Sequence, residues 1–346
     1  MKQTRFATLL SLILSLSLLL AGCSGGSGGG QNQSPAPSGG GGKEDTPLKV
    51  GLIVSGTVND NGWCASAYDG LLAIQEQFGA DINYVENVGM SDIESQLINY
   101  GEEGYDVVFC HGFEYTDSVM KVGPTYPDTW YAVNSTDAAV QEPNVLSVSQ
   151  NNLHKGFLAG VVAALVTESN TIGAIGGTDI PAVQLSLEGA VVGAKYINPD
   201  INVITTITGD NEDTTAALEV ANAMANQGAD VLIPVLGSAG LATLTVAEEQ
   251  GLLVVGTNSD MHEFGPDVVV NSSIAGFVDA MPAIMRELQA GKLEPKAYSF
   301  GIAEDVVKLV SFYEFGEKLP QETLDKVSEI VESVKNGTLV VEDLPK

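Results

Sequence analysis

From Leu48 onward the chain alternates short, unbroken apolar runs with stretches in which apolar residues recur every three or four positions. The runs of the first part are KVGLIVS (49–55), INYVEN (82–87), DVVFCHG (106–112), TWYAVN (129–134) and VLSVSQ (145–150). Runs this short, rich in Val and Ile and lacking polar alternation, predict strands of a parallel sheet covered on both faces. Between the first two, Ala67, Leu71, Ile74 and Phe78 share one face of a helix over 63–79, and another helix is predicted near 91–101. A second series begins after Gln150. It reads as a long helix over 153–168, a strand at 171–177, and a helix with Pro181 in its first turn. Strands at 202–208, 230–237 and 252–258 follow, with helices near 214–227 and 240–250 between them. The pattern then predicts a strand at 268–273 returning to the first lobe, a helix near 275–290, a strand near 297–303 and a mostly helical 304–335.

Strand–helix repeats of this kind imply right-handed crossovers and an α/β architecture. The chain reads as crossing between lobes near 150–152, 258–262 and 300–304. Lobe one is then 48–150 plus 259–302, and lobe two is 151–258 plus 303–346. Two doubly wound, Rossmann-like lobes with three crossovers resemble the type I periplasmic-binding-protein fold. Ligands of open α/β sheets bind beyond the carboxyl ends of the strands, so two facing lobes would share one cleft.

The N-terminus has a different pattern. Lys2 and Arg5 precede an uncharged run from Phe6 to Ala21, long enough for a signal h-region and short for a membrane span. The run ends in Leu20-Ala21-Gly22-Cys23, which resembles a bacterial lipobox. Residues 1–22 are expected to be a signal peptide, with Cys23 carrying lipid as a membrane anchor. Residues 23–46 are Gly-, Ser- and Pro-rich and have too little apolar surface to order themselves; they read as a flexible tether. The GxSxG pattern at 25–29 falls in this tether, where no nucleophile elbow can form.

Charge narrows the partners. The 346 residues carry 15 Lys and Arg against 44 Asp and Glu, a net −29. Removing the leader with Lys2 and Arg5 leaves 13 − 44 = −31. Phosphate backbones recruit Lys and Arg, so nucleic acid is not an expected partner. With three Cys, three His and neither CxxC nor HExxH, the common zinc signatures are absent, and no cofactor or metal is expected. An exported hydrolase would need a carboxylate cluster holding metal, or a nucleophile with its base. Neither is legible, so the chain does not read as an enzyme.

Several segments resemble the basic membrane protein family of binding lipoproteins, of the purine nucleoside receptor A type. In VGLIVSGTVNDNGWCASAYDGL (50–71), Asp60, Trp63 and Tyr68-Asp69-Gly70 fit the family's strand-to-helix motif. GYDVVFCHGF (104–113), HKGFLAGVVAAL (154–165), the Gly-Gly, Ile-Pro and Asn-Pro-Asp landmarks of 172–203, GADVLIPVLGSAG (228–240) and VVGTNSDMHEFGP (254–266) follow in family order. The resemblance implies an extracytoplasmic receptor, acting as a monomer, that delivers a small solute, often a nucleoside, to ABC permease subunits.

Under that resemblance the ligand-binding candidates are Asp60, Trp63, Phe113, Asp137, Gly237 and Asp260. Trp63 would stack on a base, Asp60 would accept from a base or sugar edge, and Asp260 would accept ribose hydroxyls. Gly237 would let the ligand approach the backbone. Each has a structural alternative: core packing for Trp63 and Phe113, a helix cap for Asp60, a loop tie for Asp260. His111 reads as a structural strand-end residue, and Asp213 as an N-cap. The chain departs from the family at Cys64, where Asn is expected, and near Ser186, where the resemblance implies a second aromatic facing the ligand, so that a stacking sandwich would be open on one side. Asn271 or Ser272 would replace a basic residue. Cys64 and Cys110 are either two buried thiols or a disulfide. A membrane-tethered ligand sensor, or a receptor for a sugar or flavin-like heterocycle, is the alternative function.

Overall fold

The computed structural model describes residues 47–59, 63–134 and 137–345. Cys23 and Asp60 lie outside the described residues. The first sheet contains β1 (Lys49–Val54), β2 (Asp81–Val85), β3 (Val107–His111), β4 (Trp130–Asn134) and β5 (Val145–Gln150). These strands alternate with α1 (Trp63–Phe78), α2 (Ile93–Glu102) and α3 (Thr116–Val122). Helix α4 (Asn152–Val166) leads into the second sheet, built from β6 (Thr171–Gly176), β7 (Asn202–Ile207), β8 (Val231–Val235), β9 (Leu253–Asn258) and β10 (Val269–Ala275). Its helices are α5 (Pro181–Ile197), α6 (Thr214–Asn226) and α7 (Gly240–Gln250). Helix α8 (Phe277–Gln289) and β11 (Ala297–Phe300) return to the first sheet. Strand β12 (Val307–Leu309), α9 (Phe315–Lys318) and α10 (Gln321–Lys335) complete the second lobe.

The sheet orders are β11-β5-β4-β3-β1-β2 and β12-β10-β9-β8-β6-β7, all parallel except β12 against β10. Both are the doubly wound α/β arrangement expected. In each sheet the winding reverses beside the first strand, between β1 and β3 and between β6 and β8. These are the switch points where loops diverge and leave a crevice. The crossings leave from the carboxyl ends of β5, β10 and β11, so the carboxyl edges of both sheets meet at the junction of the lobes.

The strand at 269–275 corrects the sequence reading. It pairs with β9, Ser272 opposite Gly256 and Ile274 opposite Asn258, so it belongs to the second sheet and not the first. The connection from β9 is short, contains a 3₁₀ turn at His262–Phe264, and folds straight back: Val254 N–H donates to the Val268 carbonyl. The middle crossing therefore falls between Ala275 and Phe277 rather than near 258–262.

Two helix contacts hold the layers. Helix α4 is buried continuously from Leu153 to Ala163 and lies against α5. Gly156 and Gly160 on α4 and Gly189 and Gly193 on α5 remove the side chains that would keep the backbones apart. A Cβ on any of the four would overlap a carbonyl of the other helix. In lobe one, Gly70 of α1 lets α8 approach through the Phe277 carbonyl. The first turn of α4 also gathers the crossings. Asn151 N–H donates to the Phe300 carbonyl (2.8 Å), Ile302 N–H donates to His154 Nδ1 (3.2 Å), and Ser273 Oγ donates to the Lys155 carbonyl (2.8 Å). Cys64 and Cys110 are buried and not disulfide-bonded. Cys64 packs in the core between the first sheet and α1, Cys110 in the core on the opposite sheet face. Burial pushes the Cys110 thiol pKa well up.

Replacing Gly160 with Leu should lower the unfolding free energy by about 1–3 kcal/mol or more, because the side chain meets backbone rather than a movable neighbour. Gly316→Ala, whose Cβ would meet only Phe312 at 3.7 Å, should stay within about 0.5 kcal/mol of wild type. Denaturant titration of both variants measures this; equal stability would mean that α4 and α5 are not in backbone contact.

Candidate functional site

At the first switch point, β1 and β3 end beside the start of α1. His111, the last residue of β3, is fully buried. Its Nε2–H donates to the Trp63 carbonyl (3.0 Å), and Nδ1 accepts from the Asn134 amide at the end of β4 (3.1 Å). A carbonyl can only accept, so the ring carries a proton on Nε2. Trp63 stacks on this imidazole, ring centroids 4.0 Å apart at 30°, and Phe277 meets the His111 ring edge-on at 4.8 Å. Trp63 is nevertheless 44% exposed. The structure thus places it both in packing and at the surface of the edge. Phe113 follows Gly112, whose φ of 145° turns the chain outward, and is 73% exposed. Asp137 is exposed and accepts from Ser149 Oγ (2.9 Å), tying the ends of β4 and β5.

The second switch point holds a pocket of about 200 Å³ bounded by the first turns of α4 and α5 and the carboxyl ends of β8 and β9. Asn152, Lys155, Asn211, Glu212, Gly237 and Asn258 supply its polar lining and its close backbone approach. Asn211 and Glu212 are carried by the β7–α6 loop. Thr178 N–H donates to Asn211 Oδ1 (3.1 Å), Gly237 N–H donates to the Asn211 carbonyl (3.0 Å), and Ser238 Oγ donates to Glu212. A Cβ at Gly237 would meet the Glu212 carboxylate, the movable end of a side chain, and would sit 3.1 Å from the Asn211 carbonyl.

Asp260, half-buried just past β9, accepts from His262 N–H (3.0 Å) and from the Tyr313 hydroxyl (2.5 Å). Tyr313 stacks flat on His262, centroids 3.8 Å apart. Its phenol pKa is raised by the bond to Asp260. Asp260 thus ties the loop after β9 to the segment after β12.

Three expectations of position are corrected. Ser186 does not face a cleft: it is fully buried, donates to the Ala182 carbonyl (3.0 Å), and offers its own carbonyl to the approach of Gly156. Asn271 and Ser272 are buried in β10, where Asn271 donates to the Val310 carbonyl (2.9 Å) and Ser272 accepts from Met261 N–H (3.1 Å). Both hold lobe two together. Asp213 caps α6, accepting from Ala216 N–H at 3.0 Å, as expected.

Lys155 was not singled out from the sequence. Its signal was a lone charge in an otherwise apolar helical stretch. It is 6% exposed, and its ammonium donates to Asn258 Oδ1 at 2.6 Å. No carboxylate lies within 4.0 Å of it among the described residues. Burial holds its pKa down to about 8, against the ordinary 10.5. Between those values the unfolded chain binds more protons than the folded one, so the unfolding free energy of ligand-free protein should rise with pH. The gain is about 3 kcal/mol at most. Lys155→Met lacks this dependence. Its ligand-free stability should exceed wild type at pH 7, and the gap should close as pH rises through 8 toward 10.5. Urea titrations across that range test this; a gap that does not change with pH contradicts it.

Residues 48–344 match the family model described as Bmp, ABC transporter substrate-binding protein PnrA-like. The chain is 30% identical over 311 residues to the transcriptional activator protein med of Bacillus subtilis, covering 88% of this chain and 90% of that one. It is 29% identical over 285 residues to the putative ABC transporter glucose-binding protein TsgA13 of Haloferax volcanii, covering 82% of this chain and 71% of that one. To basic membrane protein A of Borreliella burgdorferi it is 27% identical over 278 residues, 76% and 81% of the two chains. Among solved structures, a transcriptional activator of the comK gene from Bacillus halodurans superposes with a TM-score of 0.72 at 23% identity, over 86% of this chain and 99% of that one. An ABC transporter solute-binding protein from Conexibacter woesei gives 0.67 at 21% identity, over 86% and 98%. These structures share the two-lobed fold. No helix among the described residues is long and apolar enough to cross a membrane. The match over residues 48–344 places this chain in the Bmp family of PnrA-like ABC transporter substrate-binding proteins.

Proposed function

We propose that this chain is a lipid-anchored, extracytoplasmic receptor that binds a nucleoside or related nucleobase compound between its lobes and presents it to an ABC permease. The observation that carries the reading is the pairing of unlike half-sites at the two switch points. One is an aromatic pair, Trp63 on His111, with Trp63 still 44% exposed. The other is a polar pocket around Lys155, Asn211, Glu212 and Asn258. A nucleobase has a flat face suited to the first and a polar edge suited to the second, and stacking on an aromatic side chain contributes about 1–3 kcal/mol per base.

In this reading Phe113 walls the cleft from lobe one, Asp137 contributes an acceptor on that edge, Asp60 accepts from a base or sugar edge, and Gly237 admits the ligand close to the β8 backbone. Asp260 shares its oxygens between Tyr313, His262 and a sugar hydroxyl. Ligand closes the lobes by flexing the three crossings, which creates the composite face a permease reads. A second reading, a membrane-tethered sensor with the same cleft, is favoured by the 30% identity to a protein named as a transcriptional activator. Permease and ATPase genes beside this one would favour transport over sensing.

The ligand released from denatured protein should be a nucleobase compound by mass spectrometry. Calorimetry should then show binding of nucleosides, weakened by about 1–3 kcal/mol in Trp63→Ala with folding intact. Binding of glucose and of no nucleoside would reject the reading. Separately, Cys23→Ser should move the protein from the membrane fraction to the soluble one. A variant that stays with the membrane would reject the lipid anchor.

A further inference from the structure

A buried ammonium normally has carboxylates or several carbonyls around it, because each unmet N–H is costly away from water. Lys155 has three donors and, among the described residues, one neutral acceptor, Asn258 Oδ1. That acceptor is fixed: Asn258 sits at a φ of 67° and uses its amide N–H on the Leu236 carbonyl (2.9 Å), which leaves Oδ1 toward the lysine. The lysine backbone is fixed too, its carbonyl accepting from Ser273 Oγ. No other side chain or carbonyl among the described residues accepts from the remaining donors, and the residue lines the pocket at the β6/β8 switch point. A lysine whose task was to bind the lobes together would be given acceptors; this one is held ready for an acceptor brought from outside.

The surroundings limit what that acceptor is. Glu212 lines the same pocket, and the chain without its leader carries −31, both unfavourable to an anion. The rest of the lining includes Val183, Val235 and Leu236, which suits a flat apolar body. The fitting group is therefore a neutral ring bearing strong acceptors on one edge. Among nucleobases, a 6-oxopurine presents O6 and N7 side by side, the pair that Lys and Arg read in guanine. A 6-aminopurine puts an N–H₂ donor beside N7, which meets the ammonium donor to donor.

Resting on the nucleobase reading above, we propose that Lys155 is a specificity-determining ligand contact that donates to the O6/N7 edge of a 6-oxopurine. The receptor then prefers inosine- and guanosine-type ligands over adenosine-type ones.

Calorimetry of inosine, guanosine and adenosine against wild type, Lys155→Met and Lys155→Gln tests this, alongside ligand-free melting curves of all three proteins. Wild type should bind inosine and guanosine about tenfold to a hundredfold more tightly than adenosine. Lys155→Met should lose that preference, Lys155→Gln should keep part of it through its amide donor, and neither should melt below wild type when ligand-free. Equal binding of adenosine and inosine to wild type would overturn the assignment while leaving a nucleoside receptor in place. So would a preference retained in Lys155→Met. Lower ligand-free melting in both variants, with all three affinities falling together, would make Lys155 a structural residue. Failure of wild type to bind any of the three nucleosides would instead reject the nucleobase reading, and this inference with it.

Discussion

The first turn of α4 is where the two lobes are made one molecule. Within five residues, Asn151, His154 and Lys155 bond to the backbone or side chains of the segments around Phe300, Ile302 and Ser273. All three crossings are thereby referenced to a single helical turn. The rest of that helix is locked into lobe two by glycine-to-backbone contact with α5, so the turn cannot shift without moving the whole lobe. Closure of the cleft, if it is to occur at low cost, must then pivot on the crossings and leave α4 fixed.

The same turn carries Lys155 into the pocket at the second switch point. The crossings and the pocket-lining lysine are adjacent because both depend on helix α4 beginning at the carboxyl edge of its sheet. The opposite edge is arranged differently. There the buried His111 stacks against Trp63 and fixes its backbone through the Trp63 carbonyl, so the indole is oriented before any ligand arrives. One edge offers a braced aromatic surface and the other a braced donor.

The strands were legible because buried parallel strands are continuous apolar runs, and the winding followed from their alternation with helices. The same continuity hid which sheet the 269–275 strand joins: a strand buried on both faces looks alike in either sheet, and only its pairing with β9 decides. Ser186 was misplaced because alignment to a family landmark fixes a position along α5, not the face that glycine packing turns toward α4. Asp213 was readable as a cap because capping is local to three residues. The Lys155 environment was not, since it is assembled from α4, α5, β8, β9 and the β7–α6 loop, which are far apart in the chain. A single charge within an apolar helix was the only trace it left.

The central claim is that both edges grip one molecule, an aromatic surface in lobe one and a lysine donor in lobe two. A crystal structure of the chain with guanosine tests it most directly. The account predicts the base against the open face of Trp63 and its O6 or N7 within hydrogen-bond distance, about 3 Å, of Lys155 Nζ. Guanosine bound away from either residue, or seated in the cleft with Lys155 still bonded to Asn258 alone, would contradict it.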